Sequence, residues 1–397
     1  MSWPVSDDFN AALRRSHTPT FRVELLENGE VTASSEPVAG HLLHVIGGSI
    51  DEDRKAEVGR RSADWSIVDP KKLLVPFGPS DIVYPLRDIE VRLWRGIEGV
   101  SAKVDPTAEG PDDVPLCTVG LERSRVTDPE PGRMWDLSGS DRSVLLDLLG
   151  FNVPVEIPVG TALRAATQTI LTAVDPGHAY VIVDSPTTAT TQALLFLPGS
   201  GTSPWMAIVK MWEAAGFEVF FDQLGQLVAQ PIPNPLTANV AWQFLDDSQS
   251  IRVAPLSLEI DRRSLRNGVV VRASARWVLY GVFGEAWDTD PSSPTYFDPA
   301  NPTASKVGRH PEEIEDALVG SPAEAAALAA AKLPDVLGVE EKIDFESIPH
   351  PGRTAGDVIE LATELTGARS RLMLDRVTTP LLFKGTQSAL GRRRVAA

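Results

Sequence analysis

The sequence predicts a mainly β protein with an α+β insertion: two small β-barrel domains and an inserted α/β domain. Three observations carry that expectation. Apolar and polar residues alternate over short stretches, most clearly where Ile89, Val91 and Leu93 share one face and Glu90, Arg92 and Trp94 share the other. That is the period of a strand with one face on a core. Proline, at 32 residues, and glycine, at 30, divide the chain into short elements with many turns. Most helix-period segments fall between residues 142 and 215, inside a chain that otherwise alternates.

Composition sets bounds. A chain of 397 residues suggests two to four domains at roughly 100–200 residues each, and 43% hydrophobic residues suffice for real cores. The formal net charge is -17. A protein that holds DNA through its phosphates needs the opposite sign, so such a function is excluded, while an acidic wall lets DNA pass without retaining it. The single cysteine, Cys117, sits in the apolar run Pro115 to Gly120 and reads as core packing, with no internal disulfide. Residues 1–8 are acidic and lack an apolar run, and no segment is apolar for the length of a bilayer. Neither a secretion signal nor a membrane anchor is expected, and synthesis and folding are expected in a cytoplasm.

The first domain is expected over residues 1–112. Asp7 to Ser16 reads as a short amphipathic helix, Thr20 to Leu26 and Val31 to Ser34 as a hairpin turned at Asn28-Gly29. The stretch His44 to Ile97 carries an alternating segment from Ala56 to Val68 and another from Ile89. Pro70, Pro76, Gly78, Pro79 and Pro85 lie between them and stop strands.

Residues 113–235 are expected to form the α/β domain. Leu116 to Ser124 and Met134 to Ser140 read as strands, and Arg142 to Leu149 as a helix capped by Asp141. A second helix is expected over Ala162 to Val174, then strands at Val181–Val183 and Leu194–Leu197. Ser203-Pro204 starts a third helix that stops at Gly216. A hairpin of Phe217 to Phe221 and Gln226 to Gln230 follows. Trp205 and Trp212 lie seven apart on one helix face and are expected to pack on this hairpin, the sharper alternative being a sugar-stacking platform. Pro231 to Pro235 reads as a rigid linker.

A second β-barrel domain with variable loops is expected over residues 236–345. Its strands are Ser257 to Asp261, Asn267 to Ala273 and Trp277 to Phe283, followed by a polar loop from Gly284 to Ala304. Pro322 to Ala331 is an alanine-rich helix expected to stop at Pro334. Residues 346–397 are expected to close the second barrel through Asp357 to Leu361 and Ser370 to Leu381. The basic segment from Ala389 reads as a mobile tail.

No catalytic signature is present. His-Glu-x-x-His, the Walker phosphate loop and the Gly-x-Ser-x-Gly elbow are all missing. His41 and His44 are the only close histidines and have no cysteine nearby for zinc. Asp288 to Ser293 faintly resembles a calcium loop but lacks the glycine and the closing glutamate, so it reads as a solvated loop. Glu285, Asp288, Asp290 and Asp298 are carboxylates in number enough for glycoside hydrolysis, but that chemistry needs two held about 5–10 Å apart. The prediction is therefore no catalytic residue, no metal and no cofactor.

Several phrases in order carry a resemblance. Ser49-Ile50-Asp51 through Arg61, Trp65 to Pro70, Leu73 to Gly78 and Glu90 to Gly96 resemble the N-terminal domain of minor tail proteins of actinobacterial phages, in the baseplate or tail-tip hub family. Gly139-Ser140-Asp141-Arg142, the helix–Gly–strand–turn–strand from Ser203, Arg263 to Ala273, and Ala355-Gly356-Asp357-Val358 match later phrases of the same family. The resemblance implies two tail-tube-like barrels, a structural virion protein rather than an enzyme, and a homotrimeric hub joining the hexameric tube to the tip. It implies a distal tail or tail-tube protein, the tape-measure protein and a fibre or tip protein as partners, with DNA passing through the lumen. A tail-associated glycan hydrolase or glycan-binding protein is the alternative.

Overall fold

The structure, a computed structural model, describes residues 3–27, 30–34, 44–69, 88–105, 107, 112–127, 132–183, 190, 193–235, 237–244, 250–253, 256–273, 282–316, 319–362, 369–382 and 384–395. The expected segment Leu73 to Gly78 and His41 lie outside them.

The chain begins with helix α1 (Asp7–Leu13), capped by the Ser6 hydroxyl, which accepts from the Phe9 N–H. Seven strands follow: β1 (Pro19–Glu27), β2 (Glu30–Ser34), β3 (His44–Asp53), β4 (Arg61–Asp69), β5 (Ile89–Ile97), β6 (Val114–Thr127) and β7 (Arg133–Ser140). They pair antiparallel in the order β3-β4-β7-β6-β5-β1-β2. Strands β6 and β7, although beyond residue 112, thus belong to this first sheet by pairing. Five ladders separate β1 from β3, which is ~24 Å across a flat sheet, yet the two strands touch. The sheet therefore rolls around its core, where Trp65, Trp135, Val91 and Cys117 are buried together. Burial drives the Cys117 thiol pKa far up, which suits packing and not nucleophilic attack. The alternation seen from Ala56 becomes strand only at Arg61, because residues 54–60 make the turn from β3, with Gly59 at φ 68°.

The next unit holds α2 (Arg142–Leu148), β8 (Val155–Ile157), α3 (Leu163–Val174), β9 (Ile182–Val183), β10 (Leu194–Phe196), α4 (Pro204–Glu213), β11 (Phe217–Phe221) and β12 (Leu227–Pro231). Its small sheets are β11-β12-β9 and β10-β8. Helix α4 starts as its sequence dictates: the Ser203 hydroxyl accepts from the Met206 N–H, Pro204 occupies the first turn, and Gly216 follows at φ 83°. Trp205 stacks on Phe221 at 5.5 Å and Trp212 meets Phe217 edge-on at 5.8 Å. Both tryptophans pack on the hairpin as expected, and both are buried, so neither offers a face to a sugar.

The second half comprises β13 (Val240–Phe244), β14 (Ser257–Arg266), β15 (Gly268–Ala273), β16 (Phe283–Trp287), β17 (Pro311–Asp316), α5 (Pro322–Val336), β18 (Gly338–Ser347), β19 (Val358–Ala362), β20 (Arg369–Pro380) and β21 (Gln387–Val395). The order β14-β18-β21-β20 continues the first sheet, because β20 pairs with β3. One edge of β20 runs along β21. Its other edge takes β19 over Arg369 to Met373 and β3 over Arg376 to Pro380. One strand is thus shared by both halves. Phe244, Phe345, Ile359, Leu372 and Leu374 form the second core.

Strands β16-β15-β17 form a separate sheet. Helix α5 covers one face through Ala325, Leu328 and Ala329, and Trp287 with Phe297 covers the other.

Three expectations for this half are corrected. Gly284 to Trp287 is strand β16, paired with β15, so the expected polar loop starts later; residues 274–281 lie outside the description. Helix α5 runs through Pro334 to Val336, since a proline in the last turn removes one hydrogen bond and the capping box of Ser321 and Glu324 secures the start. The basic segment from Ala389 is no mobile tail. It lies in β21, paired on both sides by β18 and β20, because its arginines find buried carboxylates.

Among the described residues no helix is long and apolar enough to cross a membrane. The protein is mainly β, with several sheets.

Candidate functional site

The β3–β4 turn is where the units meet. Arg54 reaches Glu218 on β11, with Nη2 3.1 Å from the carboxylate, and Asp335 on α5, with Nη1 at 3.6 Å. Its backbone N–H donates to the carbonyl of Asp375 on β20. Lys55 adds an ion pair to Asp375 at 3.0 Å. Arg60 donates to the Ala355 carbonyl at 2.5 Å and lies over the Phe220 ring at 3.9 Å. Arg61, fully buried, faces Glu52 at 3.3 Å and donates to the Phe221 carbonyl. From the far end of the chain, Arg392 on β21 clasps Asp375 at 2.9 Å and Asp335 at 2.8 Å. Four units therefore each place charged groups in one cluster.

The electrostatics follow from burial and pairing. Burial pulls the Arg60 guanidinium down to about 10, helped by Arg61 and Arg54 and opposed by Glu218 and Glu52. Burial works to raise the Glu218 carboxyl, but Arg54 and Arg60 outweigh it and hold the group below its ordinary range. Asp335 behaves likewise under Arg392 and Arg54. Burial opposes the Arg392 charge, yet Asp335 and Asp375 keep its pKa above the ordinary value. Such a cluster fixes orientation, since each charge is stable only while its partner stays in place. Gly356 shows how close the chains come: at φ 96°, a Cβ there would lie 2.8 Å from Arg60 Nη2.

A second latch sits beside it. Asp141 caps α2 by accepting from the Ser143 N–H, as expected, and its other oxygen accepts from the Arg61 N–H at 2.8 Å. Arg142 is buried and binds Asp88 at 2.8 Å, Glu90 at 3.3 Å and Asp175 at 2.7 Å. It also donates to the Tyr180 hydroxyl at 2.9 Å. The phrase Gly139-Ser140-Asp141-Arg142 thus ties the α/β unit to the first sheet. Its capping role was legible; its ion pairs were not, because their partners come from elsewhere in the chain.

The carboxylates considered for hydrolysis are each held by neighbouring groups. Asp288 is buried rather than solvated, and the Thr295 hydroxyl donates to it at 2.5 Å. Asp290 accepts from Ser292, Asp298 accepts from the Ala300 N–H, and Glu285 faces Arg309 at 3.8 Å. Each is engaged locally. Among the described residues no group of three or more His, Cys, Asp or Glu side chains is placed to hold a metal.

No protein-family model and no curated protein matches the chain. Solved structures do. The fold is similar to the tail protein from Neisseria meningitidis, with a TM-score of 0.59 at 16% identity, over 94% of this chain and 96% of that one. It is similar to the 43 kDa tail protein of prophage MuSo2 from Shewanella oneidensis, with a TM-score of 0.56 at 13% identity, over 94% of this chain and 98% of that one. A prophage tail protein from Listeria monocytogenes gives 0.50 at 9% identity, over 95% of this chain and 96% of that one. At such identities the likeness is one of fold, and it runs from end to end: this chain has the fold of these tail proteins.

Proposed function

We propose that this chain is a structural virion protein, a hub at the distal end of a phage tail. The observation that carries the reading is the likeness in fold to tail proteins over at least 94% of the chain. A domain shared by chance would match in part; here the match spans at least 94% of this chain and at least 96% of each of the others. Three copies, each with two barrel-like halves, would present six similar units to a hexameric tube above and a three-fold tip below. The shared strand β20 and the junction at Arg54 suit that role, because a joint between tube and tip has to hold its halves in fixed register.

The partners in this reading are two further copies of the chain, a distal tail or tail-tube protein, the tape-measure protein, and a fibre or tip protein. DNA passes through the lumen without specific binding, a passage favoured by the net charge of -17. The chain performs no reaction. Imaging of the virion tests the proposal: three copies at the tail tip around a continuous channel are expected. Copies found on the capsid, or single copies along the tail, would remove it.

A further inference from the structure

Two strands of the main sheet keep an edge without a partner among the described residues. Strand β6 runs to Thr127, but β5 pairs with it only as far as Gly120, so from Arg123 onward it is paired by β7 alone. Strand β14 ends the sheet and is paired by β18 alone. Such an edge presents a row of backbone N–H and C=O groups and is a template for another strand. Each edge also leaves its core side uncovered. Val126 lies beside the buried Trp135 on the core face, yet it is 37% exposed. Ile260 shares a strand face with Leu258, which packs on the second core, yet it is 59% exposed. The opposite faces carry opposite charges: Arg123 and Arg125 on β6, Glu259 and Asp261 on β14. Arg125 and Glu259 have no ion pair among the described residues. Arg123 and Asp261 hold only surface pairs, to Asp64 at 3.8 Å and to Arg263 at 3.4 Å.

Strand direction selects the occupant. From β14 to β6 the sheet holds eight strands, each antiparallel to its neighbours. Rotation about an axis near the strand direction leaves that direction unchanged, so an even run meets its own repeat antiparallel. The longer run to β2 holds eleven strands and would meet its repeat parallel, the weaker pairing. The register agrees. A line across the ladders from Gly120 passes Asp51 and Thr378 and reaches Glu346 on β18, opposite a point about two residues before Ser257. Setting Arg125 beside Glu259 of the next copy then needs a stagger of about eight residues over the eight strands, a strand tilt of about 35°. Closed barrels tilt their strands by about 35–45°. We infer that the free edge of β6 in one copy pairs antiparallel with the free edge of β14 in the next, closing a head-to-tail ring. Arg125 then stands beside Glu259 and Arg123 beside Asp261, while Val126 meets Leu258 and Ser124 meets Ile260 on the core face. The inference rests on the trimeric reading above and names the contact that the reading leaves open.

The test is a charge exchange in the purified full chain, with mass measured by light scattering or sedimentation over a range of concentrations. Wild type is expected to form trimers. Arg125→Glu alone sets an acid beside Glu259, and Glu259→Arg alone sets a base beside Arg125. Each should raise the concentration of half-assembly about tenfold or more. The double variant Arg125→Glu, Glu259→Arg should return it close to the wild-type value. The two residues lie on the first and last strands of the eight-strand run, so within one copy neither compensates for the other. Both side chains are exposed, so unfolding midpoints measured below the assembly concentration should match wild type. Arg125→Ala and Glu259→Ala, with a smaller rise, serve if a reversal fails to fold. Single variants that assemble like wild type, or a double variant no better than the singles, would overturn the inference and leave the hub reading standing. A wild type monomeric at every concentration would also overturn it, while imaging of the tail decides the hub reading separately.

Discussion

Arg54 Nη2 lies 3.1 Å from Glu218 Oε2, which joins the first sheet to the α/β unit across a span of 164 residues. Both side chains are largely buried, so deleting one strips the other of its nearest partner and leaves only the longer contacts, Arg54 to Asp335 at 3.6 Å and Glu218 to Arg60 at 3.9 Å. Arg54→Ala or Glu218→Ala is expected to destabilise by about 3 kcal/mol, read as a lower midpoint in chemical unfolding. The double variant should lose less than the sum of the singles, since the attraction between the two is lost in each single variant and counted twice in their sum. Strict additivity would show that the pair does not couple the units.

Stability should fall in acid in two separate windows. Burial, with Arg353 adding, holds His350 well below its ordinary pKa, so the folded protein keeps it neutral. The unfolded chain takes up a proton near pH 6.5. Unfolding therefore gains protons, and the stability present above about pH 6.5 declines as pH falls below that value. The His350 ring also faces Asn10 of α1 at 3.2 Å and Trp242 at 4.7 Å, and a His350→Gln variant should flatten this upper window. Glu218 and Asp335 are held below the usual carboxylate range. Their contribution is complete above about pH 4.3 and disappears as pH falls through their folded values. Unfolding free energy measured against pH, for wild type and for each variant, separates the windows.

Trp212 is fully buried, and its indole N–H donates to the Thr167 hydroxyl at 2.9 Å. Trp212→Ala should cost about 3–5 kcal/mol and weaken the near-ultraviolet dichroism. Cell-wall glycan should leave the fluorescence of the wild type unchanged as far as this residue contributes. Quenching that disappears with Trp212→Phe would restore the sugar-stacking alternative.

Gly48 sits in β3 opposite Trp65 at φ 130°, and a Cβ there would lie 2.2 Å from the Asp64 carbonyl oxygen. Gly48→Ala should destabilise by at least about 2 kcal/mol through backbone strain and the shift of β3 from β4. An unchanged unfolding midpoint would mean that the β3–β4 register is looser than this contact requires.

Ending the chain after Thr386 removes β21 from between β18 and β20. The exposed edges and the loss of Arg392 from Asp335 and Asp375 should abolish cooperative unfolding of the second half, or make the protein insoluble. A truncated chain that unfolds like the full one would contradict the central place of β21.

What the sequence alone determined was whatever is settled within a few residues. The Asp141 cap, the Ser203-Pro204 start of α4 and the alternation of Ile89 to Leu93 depend on neighbours along the chain, and they form as read. The mainly β class and the packing of Trp205 and Trp212 on the hairpin follow from the same short-range patterns. The tertiary structure alone decided the partners of the charges. Arg392 reads as solvated in a basic run, and only the fold brings Asp335 and Asp375 to it from 57 and 17 residues away. The pairing of β20 with β3 joins residues more than 300 apart. Periodicity states which face of a strand is buried but not which strand lies beside it. That choice belongs to the summed packing of the whole chain, and here it makes one continuous sheet from its two ends.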